Sequence, residues 1–125
     1  MNAELTIVLG LPPRELKPNA RPHYMAKSKA VKAYRLEAKV MALKAMGGLP
    51  LHYHHFEKGK TFCRFYLPTR HRSDPDNLLA SMKSAFDGFV DAGLLVDDKF
   101  LTHAPVDQGK SKANPRVEIH LELER

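Results

Sequence analysis

Asp74-Pro75-Asp76-Asn77-Leu78-Leu79-Ala80-Ser81-Met82-Lys83-Ser84-Ala85-Phe86-Asp87-Gly88-Phe89-Val90-Asp91-Ala92-Gly93 settles the architecture of this 125-residue chain. The stretch reads as one helix with both ends marked. Asp74 can accept hydrogen bonds from the free amides of a first turn, and Pro75 suits the first helical position, where its missing N–H costs nothing. Gly93 is placed as a left-handed stop. Between them Leu78, Met82, Ala85, Phe86 and Phe89 form an apolar stripe able to pack on a sheet. At ~100° per residue, Lys83 falls within about 20° of Asp76 and Asp87 within about 20° on its other side, so the three share a line beside that stripe.

On either side of this helix the pattern changes period. Leu5-Thr6-Ile7-Val8-Leu9 is a short apolar run closed by Gly10 and Pro12-Pro13, which predicts a strand. Pro18 and Pro22 forbid regular structure from Arg14 to Met25, leaving a basic loop. Ser28 reads as a helix cap, and Ala30 to Met46 as a helix ending at Gly47-Gly48. Its apolar stripe is Val31, Tyr34, Ala38, Met41, Ala42 and Ala45. Thr61 to Leu67 alternates as a strand ended by Pro68, and Leu101–Val106 and Arg116–Glu124 read as two more strands. Between these two, residues 109–114 look like a flexible basic hairpin loop containing Lys110. The expected fold is α+β: a single domain over residues 1–125, with a mixed or antiparallel sheet of about four or five strands on two main helices.

Charge is distributed unevenly within the net +6. Residues 14–44 carry +7 and residues 51–72 carry +4, whereas residues 73–98 hold six Asp against only Lys83, giving −5. A basic body suits a polyanion held through its phosphates, and the acidic stretch suits a cation. The apolar runs are too short to span a membrane and the start lacks the form of a secretory signal, so a soluble cytoplasmic protein is expected. Cys63 is the sole cysteine, which excludes an internal disulfide and a Cys-based zinc site and predicts a buried structural thiol. His52-Tyr53-His54-His55 invites a metal reading, but with no Cys and no carboxylate partner nearby it reads as an exposed edge or loop.

The acidic group exceeds what capping requires. A helix needs one cap, yet two Asp stand in the first turn and a second pair, Asp97-Asp98, follows the helix. Like charges repel, so such clustering is costly unless a cation compensates. A hard divalent ion such as Mg²⁺ takes one or two carboxylates and leaves its other positions to water and substrate phosphates. The expected substrate is therefore a phosphodiester.

At these residues the sequence resembles the RusA-like Holliday junction resolvases, many of them encoded by bacteriophages and prophages. The matching run is Asp74-Pro75-Asp76-Asn77-Leu78, Lys83, Ala85-Phe86-Asp87, Ala92-Gly93 and Asp97-Asp98, with Leu11-Pro12-Pro13 and the long preceding helix as further support. In the best-known form of the family the lysine stands one helical turn nearer the motif, where this chain has Ala80, and Ser73 occupies a position that is often basic. The resemblance implies that Asp74, Asp76 and Asp98 are catalytic carboxylates holding Mg²⁺ or Mn²⁺, and that Lys83 is the catalytic lysine. It implies a homodimer that nicks paired strands of a four-way DNA junction. Arg21, Lys27, Lys29, Arg70, Arg72 and Lys110 are the expected contacts to the DNA backbone. Two other readings stay open: a non-catalytic branched-DNA-binding module with a structural acidic cluster, and a metal-dependent nuclease acting on another DNA substrate.

Overall fold

Val117, Ile119, Leu121 and Leu123 are all buried, while the residues between them reach toward solvent. That period of two makes their strand the spine of the sheet. The computed structural model describes residues 2–47, 55–70 and 72–125. In chain order the elements are β1 (Asn2–Leu9), α1 (Tyr24–Met46), β2 (Lys58–Leu67), α2 (Pro75–Ala80), α3 (Lys83–Asp91), β3 (Leu101–His103), β4 (Asp107–Lys110) and β5 (Arg116–Glu124). Single 3₁₀ turns lie at Arg14–Leu16 and Asp98–Phe100.

The fold is α+β, with one mixed five-stranded sheet and the helices on one of its faces. Strand β5 pairs antiparallel with β1 on one side and with β2 on the other. Strands β3 and β4 then lie end to end along the far edge of β2 and run parallel to it, with Gly59 opposite Leu101 and Arg64 opposite Asp107. The strand expected over Leu101–Val106 is thus corrected to Leu101–His103, ending before Pro105, which lacks the N–H that a ladder needs, and a separate strand follows at Asp107–Lys110. Gly109 and Lys110 belong to β4, not to a hairpin loop, and β2 stands between β4 and β5. The connection crosses the end of β2, where Ser111 N donates to Leu67 O at 2.8 Å.

Helix α1 begins six residues before the expected Ala30. His23 is its cap, with Nδ1 accepting from Met25 N at 3.2 Å, because nothing after Pro22 forbids helical geometry. Lys27 and Lys29 consequently project from the helix instead of from a loop. The buried stripe is Tyr34, Ala38, Ala42 and Met46, at intervals of four. Tyr34 Oη donates to Gly10 O at 2.8 Å, and Gly10 N donates to Glu37 Oε2 at 2.8 Å, so α1 holds the end of β1.

The helix expected from Asp74 to Gly93 is two helices. Ser81 Oγ donates to Leu78 O at 2.6 Å, and Met82 N turns to Leu79 O at 3.0 Å. A hydroxyl bonding back to its own helix competes with the ladder and bends it, so the axis breaks at Ser81-Met82. The predicted stripe nonetheless stays buried throughout, at Leu78, Met82, Ala85, Phe86 and Phe89. Helix α3 lies close against α1 at Gly88, where an added Cβ would stand 2.4 Å from Arg35 O and 2.8 Å from Ala38 Cβ. Among the described residues no helix is long and apolar enough to cross a membrane.

Candidate functional site

Gly93 carries φ +82°. Gly93 N donates to Val90 O at 2.9 Å and Leu94 N to Phe89 O at 3.1 Å, which is the Schellman pattern of helix termination. The chain then turns back along α3. Phe56 fixes its return by bonding on both sides, Phe56 N to Leu94 O at 2.9 Å and Val96 N to Phe56 O at 2.9 Å. Asp97 Oδ1 accepts from Lys99 N at 3.0 Å and caps the 3₁₀ turn, a bond that also lowers the Asp97 carboxyl pKa. Asp98, the next residue, is delivered to the start of α3.

Lys83 meets it there. Its Nζ donates to Asp98 Oδ2 at 2.5 Å and to Asp87 Oδ1 at 3.0 Å, and both carboxylates raise the lysine pKa. The Asp98 side chain is 18% exposed, so its charge is partly screened from water. Asp76, Leu79, Ala80, Lys83, Phe86, Asp98 and His103 line one open cleft of about 320 Å³. The helix break at Ser81-Met82 leaves Asp76 and Lys83 on the same cleft, as the helical period predicts.

Asp74 has another task. Its Oδ1 accepts from Asp76 N at 2.9 Å as the α2 cap, and it is not among the cleft-lining residues. Asp74, Asp76 and Asp98 do not bring three ligand atoms within 4.8 Å of one another. Asp76 and Asp98 are the carboxylates that the cleft shares. Two hard oxygen donors beside space for water and a phosphate fit Mg²⁺ or Mn²⁺ by donor chemistry.

The loop before the motif is anchored to the sheet edge. Ser73 N donates to Gln108 Oε1 and Gln108 Nε2 donates to Ser73 O, both at 2.9 Å. Arg72 is thereby held beside β4, and Arg70 and Lys110 lie at the same end of the sheet, since Lys110 pairs with Leu67 at the close of β2. Arg21 lines a separate depression of about 480 Å³ with Arg14, Lys17 and His23, ahead of Lys27 and Lys29 on α1. All six expected phosphate contacts are exposed.

His103 is the cleft residue that motif reading misses. It stands in no motif, although strand alternation from buried Leu101 puts it on the helix-covered face. Its Nδ1 shares a 2.6 Å hydrogen bond with Thr61 Oγ1, and its ring stacks on Phe86 at 5.0 Å between centroids. Of the histidine run, residues 52–54 lie outside the described residues. His55 N donates to Gly93 O at 2.8 Å, a role in chain path.

Glu4, His120 and Glu122 do gather three ligand atoms within 4.8 Å, on the open face of the sheet. His120 Nε2 lies 3.5 Å from Glu4 Oε1. The larger hollow on that face, about 750 Å³, is lined by Glu4, Lys58, Lys60 and Glu122 and is an exposed sheet surface of mixed charge away from the cleft.

Among known proteins, an uncharacterized protein of Xylella fastidiosa (strain Temecula1 / ATCC 700964) is 39% identical over 105 residues. The match takes in 82% of this chain and 66% of the relative, so the chain spans just under two thirds of that protein's length. No family model matches the chain.

Proposed function

We propose that this protein is a divalent-metal-dependent endodeoxyribonuclease of the RusA-like type, which resolves four-way DNA junctions as a homodimer by paired nicking. The observation that carries the reading is the meeting of Asp76, Lys83 and Asp98 on one cleft, from three different elements. A purely capping role for each acid does not require that meeting.

Asp76 and Asp98 would hold the ion, with Asp74 fixing the helix start that presents Asp76. When bound, such an ion lowers the pKa of its water and offsets phosphate charge. Lys83 is held by Asp98 and Asp87, so it can stabilise negative charge developing on a phosphate in the cleft. Arg70, Arg72 and Lys110 at one end of the sheet, and Arg21, Lys27 and Lys29 at the start of α1, would hold the arms through sequence-independent phosphate contacts.

The binding-module reading draws on a specific observation too: Asp74 is satisfied as a cap and Asp98 by Lys83. Junction cleavage with Mg²⁺ by the natural chain and by Asp76→Asn separates the two. Symmetric nicks that vanish in Asp76→Asn, with junction binding in EDTA retained, are the expected result. Binding without cleavage by the natural chain selects the module. Flaps and linear duplex belong in the same assay, because linear DNA cut as fast as the junction would sink the resolvase assignment.

A further inference from the structure

We propose that His103 is the proton acceptor for the attacking water, a catalytic residue of the cleft, an inference that rests on the nuclease reading above. Three contacts orient its ring. Phe86 covers one face, Thr61 Oγ1 occupies Nδ1, and the backbone is fixed in β3 by pairing of Thr61 with His103. The residue is nevertheless exposed and lines the cleft, and with Nδ1 engaged by Thr61 the ring nitrogen that remains to act there is Nε2.

One tautomer of the ring suits this role. Thr61 is fully buried, and its Oγ1 lies 2.6 Å from His103 Nδ1. In the tautomer whose Nδ1–H donates to Thr61 Oγ1, Nε2 keeps its lone pair for the cleft. The partial cover on the ring favours its neutral form, against the opposing charge of Asp98. The charged groups facing it are Asp76 from α2, Lys83 from α3 and Asp98 from the 3₁₀ turn.

In the step assigned here, the water oxygen bonds to phosphorus while its proton passes to Nε2. The P–O3′ bond breaks with its electron pair going to O3′, which takes a proton from solvent. The products are a 5′-phosphate and a 3′-hydroxyl, and His103 returns its proton to solvent. A packing role alone would need the Phe86 and Thr61 contacts but no open Nε2.

The test uses the full chain, a four-way junction and Mg²⁺ under single-turnover conditions, with His103→Ala and His103→Gln beside the natural protein. Expected is a loss of about 100-fold or more in cleavage for both, with junction binding in EDTA within about threefold of the natural chain. Free imidazole should restore His103→Ala at least tenfold, with a rescue that rises as imidazole becomes neutral, because imidazole can fill the space left in an open cleft. Cleavage within threefold of natural by a folded variant would overturn the proposal. So would a deep loss in His103→Ala that imidazole leaves unchanged. Should the alanine variant unfold, the glutamine variant decides: a 100-fold loss with intact binding supports the role, and near-natural cleavage refutes it. A natural chain that cuts no junction, flap or duplex with Mg²⁺ or Mn²⁺ instead removes the nuclease reading itself, and this proposal with it.

Discussion

Lys83 Nζ stands 2.5 Å from Asp98 Oδ2, joining the first residue of α3 to the first residue of the 3₁₀ turn that follows Gly93. The pair links two segments fifteen residues apart and occupies a carboxylate proposed to bind the ion. Lysine and cation therefore compete for Asp98.

That competition gives opposite signs for two measurements on Lys83→Met. Without DNA, the variant should bind Mg²⁺ severalfold more tightly by calorimetric titration, because Asp98 no longer has its ammonium partner. Cleavage should fall about 100-fold, since a preorganised charge on the phosphate is lost. Weaker Mg²⁺ binding in the variant would contradict the competition.

Gly88 bears on the rigidity of the same region. A methyl group there would meet Arg35 O at 2.4 Å and Ala38 Cβ at 2.8 Å, and α1 backbone cannot rotate aside as a side chain can. Gly88→Ala should destabilise the fold by about 1–3 kcal/mol, despite alanine's higher helix propensity. Urea unfolding followed by circular dichroism would read this as a lower midpoint, and an unchanged or higher midpoint would contradict it.

Tyr34→Phe removes a hydroxyl that reaches two acceptors. The variant keeps the buried ring but loses donation to Gly10 O at 2.8 Å and the longer contact with Met82 Sδ at 3.6 Å. The expected cost is about 0.5–1.5 kcal/mol, toward the lower end because Gly10 is exposed and its carbonyl can turn to water. The same unfolding measurement checks it.

Arg35 and Asp91 tie α1 to α3 through two bonds, Nε to Oδ2 at 2.5 Å and Nη2 to Oδ1 at 2.8 Å. Hydrogen bonding from the guanidinium lowers the Asp91 pKa in the folded chain. The stabilisation is therefore present above the unfolded aspartate value, about 3.9, and disappears as pH falls through the lower folded value. Arg35→Gln should lower the thermal midpoint modestly at pH 7, and the gap from the natural chain should close in acid. A gap that widens below pH 4 would reverse the sign.

Cys63 is 3% exposed, and burial raises its thiol pKa to about 11. Few thiolates exist at neutral pH, and the sulfur is shielded. Iodoacetamide should leave the folded protein unmodified over the time in which urea-unfolded protein is fully alkylated, as read by intact mass.

Much of this arrangement was legible in the chain itself. Asp74 and Pro75 mark a helix start and Gly93 its stop because those effects are local: a side-chain oxygen reaching a nearby amide, a fixed φ, a missing Cβ. The alternation of Val117, Ile119, Leu121 and Leu123 likewise announces a strand with one buried face. The long-range choices were not written locally. Ser81 bends the helix only because its hydroxyl selects the Leu78 carbonyl. The strand expected at Leu101–Val106 stops at His103, a second strand follows at Asp107–Lys110, and both find the far edge of β2, a pairing that no turn motif encodes.

The sequence by itself determined the acidic stretch, the α+β alternation and the line from Asp76 to Lys83, all consequences of spacing along the backbone. Tertiary structure alone decided which of those acids meet. It folds Asp98 onto Lys83 through the Gly93 turn and brings His103 from the sheet edge to the cleft. Such meetings depend on how helices and strands pack across the core, where the partners are far apart in sequence and only the burial of shared apolar faces brings them together.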